Sequence, residues 1–249
     1  MNCIATRLVG ARQLLSPIWG PTGARIPLGH DTADAALRGG LLRGALHEIF
    51  ACDASGFGFA AGLARRAAGA KRLLWIVQDF SALEQGTVAP TGLAEFGIDP
   101  ASLLLLRAAN ATDALRAGVD ALSCSGLGAV IVEIPGNPKI LDLVASRRLV
   151  LAAQNKGVTV FLLRPAAEAE PSAAETRWTI RSQASAGSDD WGNPCFDAEL
   201  TRNRHGETGR WDMEWCCDDG AFRETTHSGA VVSALADRPA QAAPWRLAG

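Results

Sequence analysis

The sequence predicts an α/β protein: a mostly parallel sheet between two layers of helices, extended at its C-terminal end by antiparallel strands. Three observations predict it. Short, wholly apolar runs alternate with helix-like segments through the middle of the chain. Strands buried on both faces read this way, because neither face meets water. From about residue 165 the texture changes to apolar–polar alternation, the signature of half-exposed strands. The 249 residues are 48% hydrophobic, which supplies a sizeable core for one domain with appendages.

The elements follow in order. Residues 1–25 mix short apolar stretches with Pro and Gly and read as an N-terminal helix and linker; the main domain is expected over 26–222. "ALHEIFA" (45–51) reads as a strand, and "GFAAGLARRAAG" as a helix whose small residues allow close approach to a sheet. "RLLWIV" is a strand, "TGLAEFG" a helix end stopped by Gly97, and "SLLLLRA" another buried strand. "TDALRAGVDALSCSG" opens with Thr112 or Asp113 as a cap and places Leu115, Val119 and Leu122 on one face. "AVIVEI" is a strand. "PKILDLVASRRLVLAAQNKG" is a long helix with Ile140, Val144 and Leu151 turned inward and Gly157 at its end. "VTVFLLR" is the next strand, and "PAAEAEPSAAE" a polar loop. "TRWTIRSQA", "CFDAELTRNR" and "GRWDMEWCC" alternate as antiparallel strands, with "HGETG" as a hairpin turn. Residues 223–249 read as a disordered tail.

Bulk properties exclude several classes. The formal net charge of −2 lacks the basic surplus of a strong nucleic-acid binder. No apolar run approaches the length of a membrane span, and the N-terminal stretch has no signal-peptide core, so a cytoplasmic protein is expected. None of the six cysteines forms C-x-x-C. Cys195, His205 and Cys216 are a conceivable zinc set, but scattered reduced thiols are the expected reading, with no metal.

The chemistry-bearing stretch is "ACDASGFG", residues 51–58, between a strand and a helix. Its spacing is that of the phosphate-binding loop G-x-x-x-x-G-K-[ST]. That loop works through a nest of backbone N–H groups, a lysine on the β- and γ-phosphates and a hydroxyl on Mg²⁺. Here Ala51 replaces the first glycine, Phe57 the lysine and Gly58 the hydroxyl residue, while Ser55 lies inside the loop and Gly56 keeps the turn. Losing one charge-assisted hydrogen bond alone costs about 1.5–3 kcal/mol of binding. No catalytic residue, cofactor or ATPase activity is expected. A second pattern overlaps it. "GFGFAA" (56–61) matches the dinucleotide fingerprint G-x-G-x-x-G/A, with Asp79 at the end of the next strand as a ribose-binding acid. Four residues separate the strand from its first glycine, which suits a phosphate loop better.

The segment ahead of the loop carries a resemblance. "IPLGHDTADAALRGGLLRGALHEIFACDASGFGFAAGLA" resembles the start of the RecA core, with Gly29, Asp34, Leu37, Gly39, Gly40, Leu41, Gly44, Glu48 and Ile49 on its cadence. "FGIDPASLLLL" and "ATDALRAGVDALSCSGLGAVIVEI" resemble the stretch leading to the RecA Walker B strand. Glu133 stands there, one place out of register, which would turn it to the other face of the sheet. Asp79 falls near the RecA catalytic acid. Within this group, "PTGLAEFGIDPASLLLLRA", "RRLVLAAQNKGV", "LLRP" and "ELTRNRHGETGRWDMEW" are similar to the ImuA family, RecA-like accessory proteins of bacterial mutagenesis cassettes, over residues 26–217.

The resemblance implies a RecA-like three-layer core and a part in SOS-induced, error-prone translesion DNA synthesis. The implied partners are ImuB (a polymerase-like protein of the Y family), an error-prone replicative-type polymerase subunit, and RecA. Recruitment to the nucleoid on DNA damage follows. The alternatives are a SulA-like division inhibitor that binds FtsZ and a weak ATPase or dinucleotide protein. The loop after the last core strand, about 164–175, has one arginine, no lysine and three glutamates, so DNA contact is expected to be weak or indirect. Candidate partner-binding residues are Trp178, Arg202, Arg204, Arg210 and, in "PWRLAG", Trp245, since Trp and Arg are enriched at binding hot spots.

Overall fold

The computed structural model describes residues 23–86, 88–185 and 192–225. A short ribbon comes first: β1 (Arg25–Ile26) pairs antiparallel with β2 (Leu41–Leu42), and α1 (Asp31–Ala36) lies between them. Asp34 fixes this lead-in, its carboxylate accepting from Leu28 N at 2.7 Å and Gly29 N at 3.0 Å. Gly40 has φ +117°, and a Cβ there would sit 2.1 Å from the Ile26 carbonyl oxygen, so only glycine fits. Part of the RecA-like cadence is thus explained by local geometry.

The remaining strands form one nine-stranded sheet. They are β3 (Leu46–Ala51), β4 (Arg72–Gln78), β5 (Leu103–Ala108), β6 (Leu127–Glu133), β7 (Thr159–Pro165), β8 (Thr176–Gln183), β9 (Cys195–Asn203), β10 (Gly209–Cys216) and β11 (Ala221–Glu224). Their spatial order is β11-β10-β9-β8-β3-β7-β6-β4-β5. From β8 to β5 every pairing is parallel; from β8 to β11 every pairing is antiparallel. The mostly parallel sheet and its antiparallel extension are as the sequence predicts. The last strand runs to Glu224, two residues past the expected boundary at 222. Residues 1–22 and 226–249, including the predicted N-terminal helix and most of the predicted tail, lie outside the described residues.

Two apolar layers flank the parallel strands. On one face, α2 (Ser55–Ala68) packs through Phe59, Leu63 and a run of alanines onto Ile49, Trp75, Ile131 and Phe161. The same layer continues under the extension, where Trp178, Phe196, Met213, Trp215 and Phe222 are buried. On the other face, α5 (Ala111–Ala121) and α6 (Leu143–Lys156) cover Leu74, Val130, Val132, Val160 and Leu162. Two short helices, α3 (Asp79–Gln85) and α4 (Pro90–Glu95), follow β4.

Three expectations need correction here. The strand "SLLLLRA", read as buried, is the edge of the sheet, where only β4 pairs with it, and Leu104 and Leu105 are exposed. The cap of α5 is Asn110, whose side chain accepts from Asp113 N at 3.0 Å, not Thr112 or Asp113. In α6 the buried residues are Ser146, Leu149 and Ala153, while Ile140, Val144 and Leu151 are exposed. Asp142 caps the helix through Ala145 N at 2.7 Å, so the helix begins after Ile140. Ser146 can be buried because its hydroxyl donates to the Leu143 carbonyl and accepts from Ala173 N. Apolar spacing misassigned the inward face because a satisfied serine holds its centre.

Candidate functional site

The turn that leaves β3 is held by its own anion. The Asp53 carboxylate accepts from Ser55 N at 2.9 Å and from the Ser55 hydroxyl. It also accepts from Ser182 N at 3.1 Å and Ser182 Oγ at 3.0 Å, on β8. Partial burial favours the neutral acid, but these four bonds outweigh it and bring its pKa down to about 2. Asp53 is therefore charged at neutral pH, at the N-terminus of α2, where a phosphate loop receives its anion.

The glycines have packing reasons. A Cβ on Gly56 would lie 2.5 Å from the Ala51 Cβ, so the helix start rests against the strand end. A Cβ on Gly58 would meet Phe96 Cζ at 2.9 Å and Phe196 Cζ at 3.4 Å. Both glycines lie within α2, which starts at Ser55. The dinucleotide pattern needs its first glycine in the turn, and here it is already helical. Asp79, the acid that pattern would use, begins α3 and pairs with Arg107 at 2.9 Å.

Beneath the turn is a cavity of about 600 Å³. Its walls are mainly apolar, with Phe57, Val77, Leu93 and Phe96 among them; Asp53 stands in the rim with Cys52. Glu133 lines it too, which corrects the expected flip. Along β6, Ala129 and Ile131 belong to the α2 layer, and strand alternation puts Glu133 on that same face. Its register beside β7 pairs it with Leu163. Glu133 is 2% exposed, and burial raises its pKa to about 6 against opposing contributions from Ser81 and Trp75. Trp75 Nε1 and Ser81 Oγ are themselves buried, and the Glu133 carboxyl is the acceptor they act on. No local signal marks this trio, because pairing of β4 with β6 brings Trp75 beside Glu133 and the helix that follows β4 adds Ser81. Asp53 was legible as Asp-x-Ser, a turn motif in which the acid binds the backbone two residues on.

The predicted partner-binding residues divide. Trp178 is completely buried, packed between Phe59 and Trp211, so its assignment to a surface is corrected: β8 turns it to the α2 layer. Arg202 and Arg204 reach back to the loop after β7, donating to the Ser172 and Ala174 carbonyls at 3.0 Å each. Arg177 joins them, with a 2.8 Å ion pair to buried Glu48 and a bond to the Glu170 carbonyl. Arg210 is exposed and grips Asp197 with two nitrogens, at 2.6 and 2.5 Å. Trp245 lies outside the described residues. Arg164, the one arginine of the stretch where DNA contact was expected to be weak or indirect, lies in β7, is 2% exposed and donates to the Ile134 and Gly136 carbonyls.

The imagined zinc set is not assembled. His205 binds Glu175 at 2.6 Å, Cys216 contacts Asp219, and Cys195 is buried elsewhere on β9. Among the described residues no three His, Cys, Asp or Glu side chains are grouped to hold a metal ion. No helix among them is long and apolar enough to cross a membrane.

Comparison with known proteins agrees with the sequence cadence. The chain is 32% identical to Protein ImuA of Caulobacter vibrioides strain NA1000 / CB15N, over 82% of this chain and 87% of the relative. Protein ImuA of strain ATCC 19089 / CIP 103742 / CB 15 matches with the same identity and coverage. No protein-family model matches the chain.

Proposed function

The chain belongs to the ImuA family, and from that premise we propose that it is a non-catalytic, RecA-like adaptor in damage-induced translesion DNA synthesis. It works by binding partners: an ImuB-like polymerase homologue, an error-prone replicative-type polymerase subunit, and RecA. The observation that carries the non-catalytic part is the occupied turn. Asp53 takes the Ser55 N–H and stands charged at the helix N-terminus, and Phe57 brings no cation to offset it. A triphosphate would meet repulsion where a working loop offers a nest and a lysine.

The RecA-like reading is supported by the place of the turn, which leaves a strand flanked by parallel neighbours, and by the lead-in that Asp34 and Gly40 build. Indirect contact with DNA is supported by the inward-turned Arg164 and by the loop carbonyls that Arg177, Arg202 and Arg204 occupy. Of the predicted basic patch, Arg204 and Arg210 remain exposed to a partner.

The test is co-purification of the full chain with the ImuB-like protein, with and without single-stranded DNA, beside an ATP–Mg²⁺ titration and turnover assay. A stable complex with no ATP turnover is expected. Tight ATP binding with hydrolysis would overturn the non-catalytic reading; absence of the complex would overturn the adaptor reading.

A further inference from the structure

We propose that the outer face of α6 is the surface on which this chain receives a protein partner, and that the partner presents an acidic amphipathic helix. This surface rests on the adaptor reading and gives it a location.

Exposed apolar side chains gather on this helix. Ile140, Leu143, Val144 and Leu151 are 47%, 37%, 52% and 67% exposed, all in α6 or the three residues before it. At about 3.6 residues per turn, Val144, Arg148 and Leu151 stand on one line along the helix. That line points directly away from Ser146, Leu149 and Ala153, which are buried. The neighbours of α6 lie elsewhere. Gly118 of α5 faces Leu149, and Ala173 N of the loop after β7 donates to Ser146. Single exposed apolar residues are ordinary, but a repeat along one helix face marks an interaction surface.

Charge states what kind of partner fits. Lys139, Arg147, Arg148 and Lys156 are exposed. The one acid between 139 and 156 is Asp142, and its carboxylate is engaged in capping the helix. Neither Arg147 nor Arg148 forms an ion pair among the described residues. Val144 precedes these two cations and Leu151 follows them, one turn away on each side. A nucleic-acid backbone would use the cations and leave both apolar side chains in water. A helix with carboxylates beside an apolar stripe uses both kinds of group. Val144 to Leu151 spans about 10 Å along the axis, the reach of one i, i+3, i+7 set of anchors on a facing helix.

The experiment titrates the full chain and its variants with the ImuB-like protein at low and high salt, and separately with single-stranded DNA. Val144→Asp combined with Leu151→Asp should raise the Kd for the partner at least about tenfold. Arg147→Glu combined with Arg148→Glu should do the same. Arg147→Ala combined with Arg148→Ala should weaken binding several-fold and reduce its salt dependence. All four side chains are exposed, so the circular dichroism spectrum and Tm should stay unchanged. The alanine pair keeps the test decisive if a charged pair fails to fold. An unchanged Kd in the folded variants would overturn the α6 surface and leave the adaptor reading standing. Binding that is indifferent to salt would overturn the acidic partner. Variants that lose DNA affinity while keeping the protein partner would make this a nucleic-acid face and overturn the proposal. Absence of a complex with the unaltered chain would overturn the adaptor reading, and this surface with it.

Discussion

The central parallel strands β3, β4, β6 and β7 are covered on both faces, whereas from 176 to 224 the strands are covered on one. The difference shows in what each half does with polar groups. In the parallel half, a polar side chain between layers must find a specific partner or carry a shifted pKa. His47 binds Thr176 Oγ1 and the Leu42 carbonyl, Glu48 is paired with Arg177, and Glu133 has its pKa raised. In the antiparallel half, the uncovered face carries an ion-pair group in water, with Asp197 between Arg181 and Arg210. There the stabilisation comes from the opposite face, where Trp178, Trp215 and Phe222 share the α2 layer. Exposed ion pairs contribute little, and buried aromatics much.

Mutations can break this contrast. The largest effect is expected for Trp178→Ala, which should cost about 3–5 kcal/mol in urea unfolding and unfold the extension together with the parallel strands. A loss under about 1 kcal/mol, or a separate early transition, would show that the two halves do not share a core. Next comes His47. Its burial lowers its pKa from 6.5 to about 4, against the bond to the Leu42 carbonyl and the charge of Glu175. The unfolded chain therefore binds a proton at a pH where the folded chain does not. Stability is full above about pH 6.5 and falls by roughly 3 kcal/mol as the pH drops to 4. His47→Gln should flatten that part of the pH profile, and an unchanged slope would remove His47 as its cause. The smallest effect belongs to Arg210→Ala on the open face, expected to change stability by no more than about 1 kcal/mol and less in high salt.

The same contrast explains what the sequence disclosed. Continuous apolar runs identified β3, β4, β6 and β7 because both their faces are buried, and alternation identified β8, β9 and β10 because one face is not; the apolar run of β5 hid that it is an exposed edge. The sequence could not say which face of the extension meets water, so Trp178 was placed on the surface when β8 turns it inward. In α6 the apolar residues Val144 and Leu151 are exposed and Ser146 is buried, which spacing alone reverses. At the site, the missing lysine and hydroxyl were legible from Phe57 and Gly58. The face of Glu133 and its meeting with Trp75 and Ser81 depend on strand pairing across residues more than fifty positions apart.

The bonds of Asp53 bear on what converting this turn would take. A lysine at position 57 would arrive beside a carboxylate already in place, and the new cation would be drawn to that carboxylate instead of to a phosphate. A hydroxyl at position 58 would have to displace the rings of Phe96 and Phe196. Installing two consensus residues would therefore be insufficient, because the neighbouring strand holds the turn as it is: Ser182 on β8 donates twice to Asp53. Turning this turn into a phosphate-binding one would therefore take several changes at once, in elements beyond the turn itself.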